Sequence, residues 1–105
     1  MQELPPTLRE MIEGVRPKHF PRGQILLHQG DILHDVLVLT DGVIKLHDID
    51  GQGNEKILHL VRPYSIVPWV FFSGKQGSMQ WFYSALTDCD VCVLPADELA
   101  RRMKQ

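Results

Sequence analysis

From Gly23 to Pro95 short apolar runs alternate with turn-forming residues. The runs read GQILLHQGD, DVLVLTDG, VIKLHDIDGQGN, EKILHLV, SIVPWVFF, QWFYSALTD and CDVCVLP. Each is rich in aliphatic, β-branched or aromatic residues, and each is bounded by Gly, Asp, Asn or Pro. Short runs with this punctuation predict strands, and this many at this spacing predict a sandwich or jelly roll. The clearest hairpin is IKLHDIDGQGNEKILHL, two strands around Asp50-Gly51-Gln52-Gly53-Asn54. Its glycines supply the positive φ that a tight loop demands. Gly23, Gly30 and Gly42 open or close strands in the same way.

The two ends have a different texture. Leu4 to Val15 reads as a short helix, with Leu8, Met11, Ile12 and Val15 on one face. Thr7 is the expected N-cap, Glu10 its capping-box partner, and Pro17 the stop. The C-terminal PADELARRMKQ starts a second helix after Pro95, with Leu99 and Met103 as its apolar stripe. The order helix, many strands, helix predicts one domain. Residues 1–16 form the first helix, 20–95 the β-structure and 96–105 the start of the last helix. No linker, repeat or low-complexity segment interrupts it.

A chain of 105 residues can build one core with little to spare. Its net charge of −2 argues against a surface that neutralises nucleic-acid phosphates. No apolar run reaches the length of a membrane span, and the start lacks the basic flank and apolar run of a signal peptide. A cytoplasmic protein with both cysteines reduced is expected.

Six of the eight aromatic residues lie between Trp69 and Tyr83, on either side of the polar loop Ser73 to Ser78. They can be core, the wall of a pocket, or a surface for a partner. The five histidines, His19, His28, His34, His47 and His59, form no local metal motif and are expected to be structural or exposed. Cys89 and Cys92 spell C-x-x-C, but in a strand residues three apart point to opposite faces. They are expected to be buried and inert, with no metal and no cofactor. No nucleophile elbow, P-loop or dinucleotide fingerprint supports catalysis. Asp48, Asp50 and Glu55 are expected to be a solvated hairpin tip. Arg101, Arg102 and Lys104 suit a helix C-terminus and are too few for a DNA-binding element.

Several motifs resemble the cyclic-nucleotide-binding domain, in the form of the sensor domain of Crp/Fnr-type bacterial transcription regulators. Phe20, Gly23, Gln24, Ile25 and Leu26 with Gln29-Gly30-Asp31 resemble that family's opening strand and turn. VLVLTDGVIKLHDIDGQGNEKILHLV resembles its next strands and hairpin, and ALTDCDVCVLPADEL its last strand and following helix. The resemblance spans Phe20 to Leu99. It implies a mainly β fold, a β-jelly-roll (double-stranded β-helix) with short flanking N- and C-terminal helices. It also implies a ligand pocket around a phosphate-binding segment reading Phe-Gly-Glu and then Arg-Ser-Ala or Arg-Thr-Ala, whose helix N-terminus adds anion-binding N–H groups.

In this chain the pattern departs from the family's. Val67-Pro68-Trp69 stands at the Phe-Gly-Glu place and Met79-Gln80-Trp81 at the Arg-Ser-Ala place. No arginine lies between Arg62 and Arg101, and Lys75 is the only cation in the loop. A buried phosphate without a planar cationic clamp is costly. The expectation is therefore a sensor domain that does not bind cyclic AMP or cyclic GMP in the usual way. Its candidate ligand residues are Trp69, Phe72, Lys75, Met79, Gln80 and Trp81, around an unidentified small-molecule effector. In the regulators it resembles, a dimerisation helix and a helix-turn-helix follow. DNA would then be reached only through a downstream domain. The charged, mid-helix end of the chain fits the sensor half of a longer regulator. A homodimer is a further expected partner state, and a membrane is not. The alternative is a stand-alone interaction or dimerisation module of the same fold, without a small ligand. A jelly-roll enzyme of the cupin type would need paired metal-binding His and carboxylate residues, which do not occur here.

Overall fold

A computed structural model of the chain describes residues 4–32, 34–67 and 81–103. Its elements run α1 (Pro6–Glu13), β1 (Lys18–Phe20), β2 (Ile25–Leu27), β3 (Asp35–Asp41), β4 (Ile44–Ile49), β5 (Glu55–Val61), β6 (Ser65–Val67), β7 (Phe82–Ala85), β8 (Cys89–Pro95) and α2 (Ala96–Met103). The strands form two antiparallel four-stranded sheets, ordered β1-β8-β3-β6 and β2-β7-β4-β5. Mainly β structure in two sheets with a short helix at each end is the jelly-roll architecture expected from the sequence.

Strand alternation divides the core into two layers. Leu37, Leu39, Val67, Cys89 and Val91 project from the first sheet into the sandwich, where they meet Ile44, Val61, Tyr83 and Ala85. The intervening residues Val36, Val38, Cys92 and Leu94 face the other way and pack under Leu4, Leu8, Met11 and Leu99 of the terminal segments. Leu8 and Leu99 are wholly buried. Burying a leucine contributes about 1.5–3 kcal/mol, so the helices seal a sheet face that would otherwise be wet.

Two expectations for α1 are corrected. The helix begins at Pro6, with Pro5 as N-cap and no side-chain cap, so Thr7 lies inside the first turn. Proline suits that place because its fixed φ matches the helix and its missing N–H is not needed there. The helix also ends at Glu13, four residues before Pro17, with Gly14 as C-cap. The apolar face is as expected: Leu8 and Met11 are buried, and Ile12 and Val15 are half-buried against them. In α2, Asp97 and Glu98 occupy the first turn and Arg101 and Arg102 the last, which complements the helix dipole. The side chain of Met103 lies outside the described residues.

The β4–β5 hairpin matches its sequence. Asp50 accepts hydrogen bonds from the N–H groups of Gln52 (2.8 Å) and Asn54 (2.9 Å), and Gly53 adopts φ +86°. These bonds hold the Asp50 carboxyl below its ordinary range, the Asn54 N–H contributing most. Gly42 serves a tighter corner, at φ +96°. A Cβ there would overlap the Asp88 carbonyl oxygen and come within 2.9 Å of Cys89 Sγ. Glycine is the residue that allows this approach.

Candidate functional site

Of the six ligand residues expected from the sequence, Trp69, Phe72, Lys75, Met79 and Gln80 lie outside the described residues. Trp81 is described. It precedes β7 directly and is 37% exposed, so its indole is not packed into the core.

Next to it stands a polar cluster that the sequence reading did not assemble. In β4, Ile44 and Leu46 pack against the sandwich core, which leaves Lys45 and His47 on the outer face of the second sheet. In β7, Tyr83 and Ala85 face inward and Phe82 and Ser84 outward. The register sets Lys45 opposite Ser84 and His47 opposite Phe82. Four outward side chains of different chemistry therefore share one patch, just after the chain enters β7.

His47 and Ser84 are each only 3% exposed, the two buried polar residues among those described. His47 Nε2 lies 2.7 Å from Ser84 Oγ. Its other nitrogen, Nδ1, is 3.1 Å from Glu55 Oε1 but lacks the alignment of a hydrogen bond. The same Glu55 oxygen lies 2.6 Å from Lys45 Nζ. The Phe82 ring stacks on the imidazole at 5.5 Å and 22°, and the His28 ring meets Phe82 edge-on.

Burial pushes the His47 pKa below its ordinary value and outweighs the other contributions. Glu55 opposes the shift, Lys45 adds to it and Asp48 opposes it. The hydrogen bond from Lys45 holds the Glu55 carboxyl below its usual range. At neutral pH the cluster is thus a neutral imidazole between a carboxylate and a hydroxyl, with one ammonium on the carboxylate. A proton on Nδ1 would face the negative carboxylate, while a bare lone pair there would repel it. We therefore assign the proton to Nδ1 and let the Ser84 hydroxyl donate to Nε2.

The Ser–His–carboxylate order resembles an acyl-transfer triad, but the chemistry does not follow. Ser84 is sealed from solvent, and Glu55 is engaged by Lys45 rather than aligned on the imidazole. A triad needs both an accessible nucleophile and an oriented base.

The other histidines, His19, His28, His34 and His59, are exposed. Among the described residues no three metal-binding side chains cluster. The cysteines sit as their spacing predicts. Cys89 is in the sandwich and Cys92 is under the helices, both as free thiols, and burial raises the pKa of each. Asp50 and Glu55 are exposed as expected of a hairpin tip, and Glu55 in addition reaches the polar cluster.

A concavity opens elsewhere among the described residues. A cleft of about 690 Å³ is floored by Phe20, Leu26, Leu37 and Val93, with Lys18 and Asp35 also in its lining. It contains neither Trp81 nor any member of the polar cluster. No helix among the described residues is long and apolar enough to cross a membrane.

Comparison with known proteins places these features in context. A family model described as the cyclic nucleotide-binding domain matches residues 17–105. A transcriptional regulator from Thermotoga maritima superposes with a TM-score of 0.77 at 22% identity, over 93% of this chain and 77% of that one. The N-terminal domain of a transcriptional regulator from Streptomyces coelicolor gives 0.72 at 26% identity, over 91% and 67%. The sensor domain of the transcriptional regulator DNR from Pseudomonas aeruginosa gives 0.79 at 16% identity, over 94% and 66%. No curated protein matches the chain.

Proposed function

The chain belongs to the cyclic nucleotide-binding domain family, and from that premise we propose that it is the effector-sensing domain of a Crp/Fnr-type transcription regulator without the usual contacts to a cyclic phosphate. The observation that carries this reading is the outer face of the β2-β7-β4-β5 sheet, where His47 and Ser84 are buried although neither belongs to a hydrophobic cluster of the described residues. Burying polar groups is costly unless something specific is gained. The family's phosphate-binding segment precedes β7, and β7 contributes Phe82 and Ser84 to this face. An effector bound there touches β4 and β7 together. Binding one arrangement of the sheet better than another is what a sensor requires thermodynamically.

The residues of the 68–80 segment enter this proposal through their chemistry alone. Trp69 and Met79 at the family's glutamate and arginine places remove the ribose and phosphate contacts. Trp69, Phe72, Lys75, Met79, Gln80 and Trp81 remain the proposed contacts on that side. They favour an apolar or planar effector over cyclic AMP or cyclic GMP. DNA contact falls to a part of the regulator outside these 105 residues.

Nuclear magnetic resonance of the chain, titrated with a panel of nucleotides, dicarboxylates and aromatic acids, tests the reading. At least one compound is expected to shift the amides of Lys45, His47, Phe82 and Ser84. A panel that moves only residues of the Phe20–Val93 cleft would overturn it.

A second reading has its own support. Ile49, Ile57 and Leu58 expose 37%, 49% and 40% of their surface on the β4–β5 hairpin, and β5 is an edge strand. Exposed apolar residues on a strand edge suit a protein contact. On this reading the chain is a dimerisation or interaction module without a small ligand. Light scattering that shows a concentration-dependent dimer, abolished by Ile57→Lys, would favour it.

A further inference from the structure

The position of the Glu55 carboxylate is the least explained feature of the polar cluster. One of its oxygens touches both Lys45 Nζ, at 2.6 Å, and His47 Nδ1, at 3.1 Å. The Lys45 side chain is 20% exposed and rises from β4, a strand flanked on both sides. Glu55 opens β5 at the sheet edge, and its side chain is 37% exposed. The cation is fixed by its strand, whereas the carboxylate reaches in from the rim. His47 is buried, and its Nδ1 has no hydrogen-bond partner despite the nearby oxygen. A buried polar atom in that condition is uncommon and calls for a reason.

We propose that the Glu55 carboxylate holds the place of an effector's acidic group, so that the effector is a compact carboxylate or phosphate carried on a planar ring. This rests on the effector-sensing reading above and names its ligand class. The acid displaces Glu55 outward, accepts from Lys45 Nζ and takes the aligned Nδ1–H bond that Glu55 does not make. Its ring extends the His47–Phe82 stack. Lys45 thereby supplies, from the sheet, the positive charge that the 68–80 segment lacks as arginine. Charged hydrogen bonds of this kind are among the stronger polar contacts.

Benzoate and phenyl phosphate serve as probes, with phenol as the neutral control. Each is titrated into the 105-residue chain while His47 ring resonances and tryptophan fluorescence are followed. Removing the internal competitor in Glu55→Gln should tighten both acids by about tenfold or more, the order of one charge-assisted hydrogen bond. Adding Lys45→Met to that variant should abolish the gain, whereas adding Lys56→Met, an exposed neighbour, should leave it. Circular dichroism confirms that each variant is folded. Phenol should not bind.

Equal affinity of Glu55→Gln with and without Lys45→Met would overturn the proposal. So would phenol binding as tightly as benzoate, or no binding of either acid to Glu55→Gln. The two readings fail differently. A panel compound that perturbs His47 and Phe82 with an affinity indifferent to both substitutions leaves effector sensing standing and removes the role of Glu55. Acids that bind Glu55→Gln while the unmodified chain answers no panel compound leave the site standing and remove the sensing role.

Discussion

Acidification isolates His47. An unfolded histidine titrates near pH 6.5, and in the folded chain burial holds His47 below that value, with Lys45 adding to the effect and Glu55 and Asp48 opposing it. The unfolded state therefore binds more protons than the native state as the pH falls below about 6.5. The stabilisation is complete above that value and is lost progressively on acidification. At pH 5.5 an imidazole that stays neutral while its unfolded counterpart protonates costs at most about 1.4 kcal/mol relative to neutral pH. For a domain of this size that is a fall in Tm of roughly 5–10 °C.

His47→Gln removes the titration and keeps an amide that can pair with the Ser84 hydroxyl. Its overall stability drops, but the gap to the parent chain should narrow between pH 7.5 and 5.5 by up to that amount. Glu55 and Asp50 do not blur the window. Both carboxyls are held below their ordinary values, so their stabilisation is present above those values and is lost only under more acidic conditions. Urea unfolding followed by circular dichroism at five pH values measures the difference. Parallel profiles for the two proteins would refute the reasoning. A gap that widens on acidification would show that Glu55 keeps His47 protonated in the folded state.

Two further predictions follow from other parts of the fold. Gly42→Ala should cost about 3 kcal/mol or more, because a strained φ is compounded by collision with the Asp88 backbone, whereas Gly23→Ala, at φ +90° with open space around it, should cost about 1–2 kcal/mol; equal losses in denaturant melts would contradict the close approach. Cys89 and Cys92 should react with a thiol reagent only as fast as the chain unfolds and should form no disulfide with each other, because burial raises both pKa values and the two thiols lie on opposite faces of β8; rapid labelling of the native chain would contradict this.

The strands were legible because glycine and aspartate punctuate them so regularly. The β4–β5 hairpin and the opposed faces of Cys89 and Cys92 follow from residue chemistry and strand alternation alone. Thr7 offers a plausible cap, but the fixed φ of Pro6 begins α1 one residue earlier, which propensity at Thr7 does not reveal. Of β1 only Phe20 is legible in the sequence, since Lys18 and His19 carry no alternation of their own and pair with β8 alone. The polar cluster was half legible. Apolar alternation in β4 places Lys45 and His47 on one face, and Tyr83 and Ala85 do the same for Ser84. What no local pattern contains is the pairing of β4 with β7, which joins residues 37 positions apart in sequence. Glu55 is solvent-facing, as charged hairpin ends usually are; its reach along the β4–β5 hairpin to Lys45 is a side-chain contact between residues that are not register partners, since Glu55 pairs with Ile49, and strand alternation alone does not reveal it.

Calorimetric titration with cyclic AMP and cyclic GMP tests the central claim most directly. On the proposed reading Trp69 and Met79 stand at the family's carboxylate and guanidinium places, and Lys45 on the sheet face is paired with Glu55. The account predicts no saturable heat with either nucleotide at micromolar concentration. Micromolar affinity for one of them would contradict it and would return the chain to the ordinary cyclic-nucleotide mode of its family.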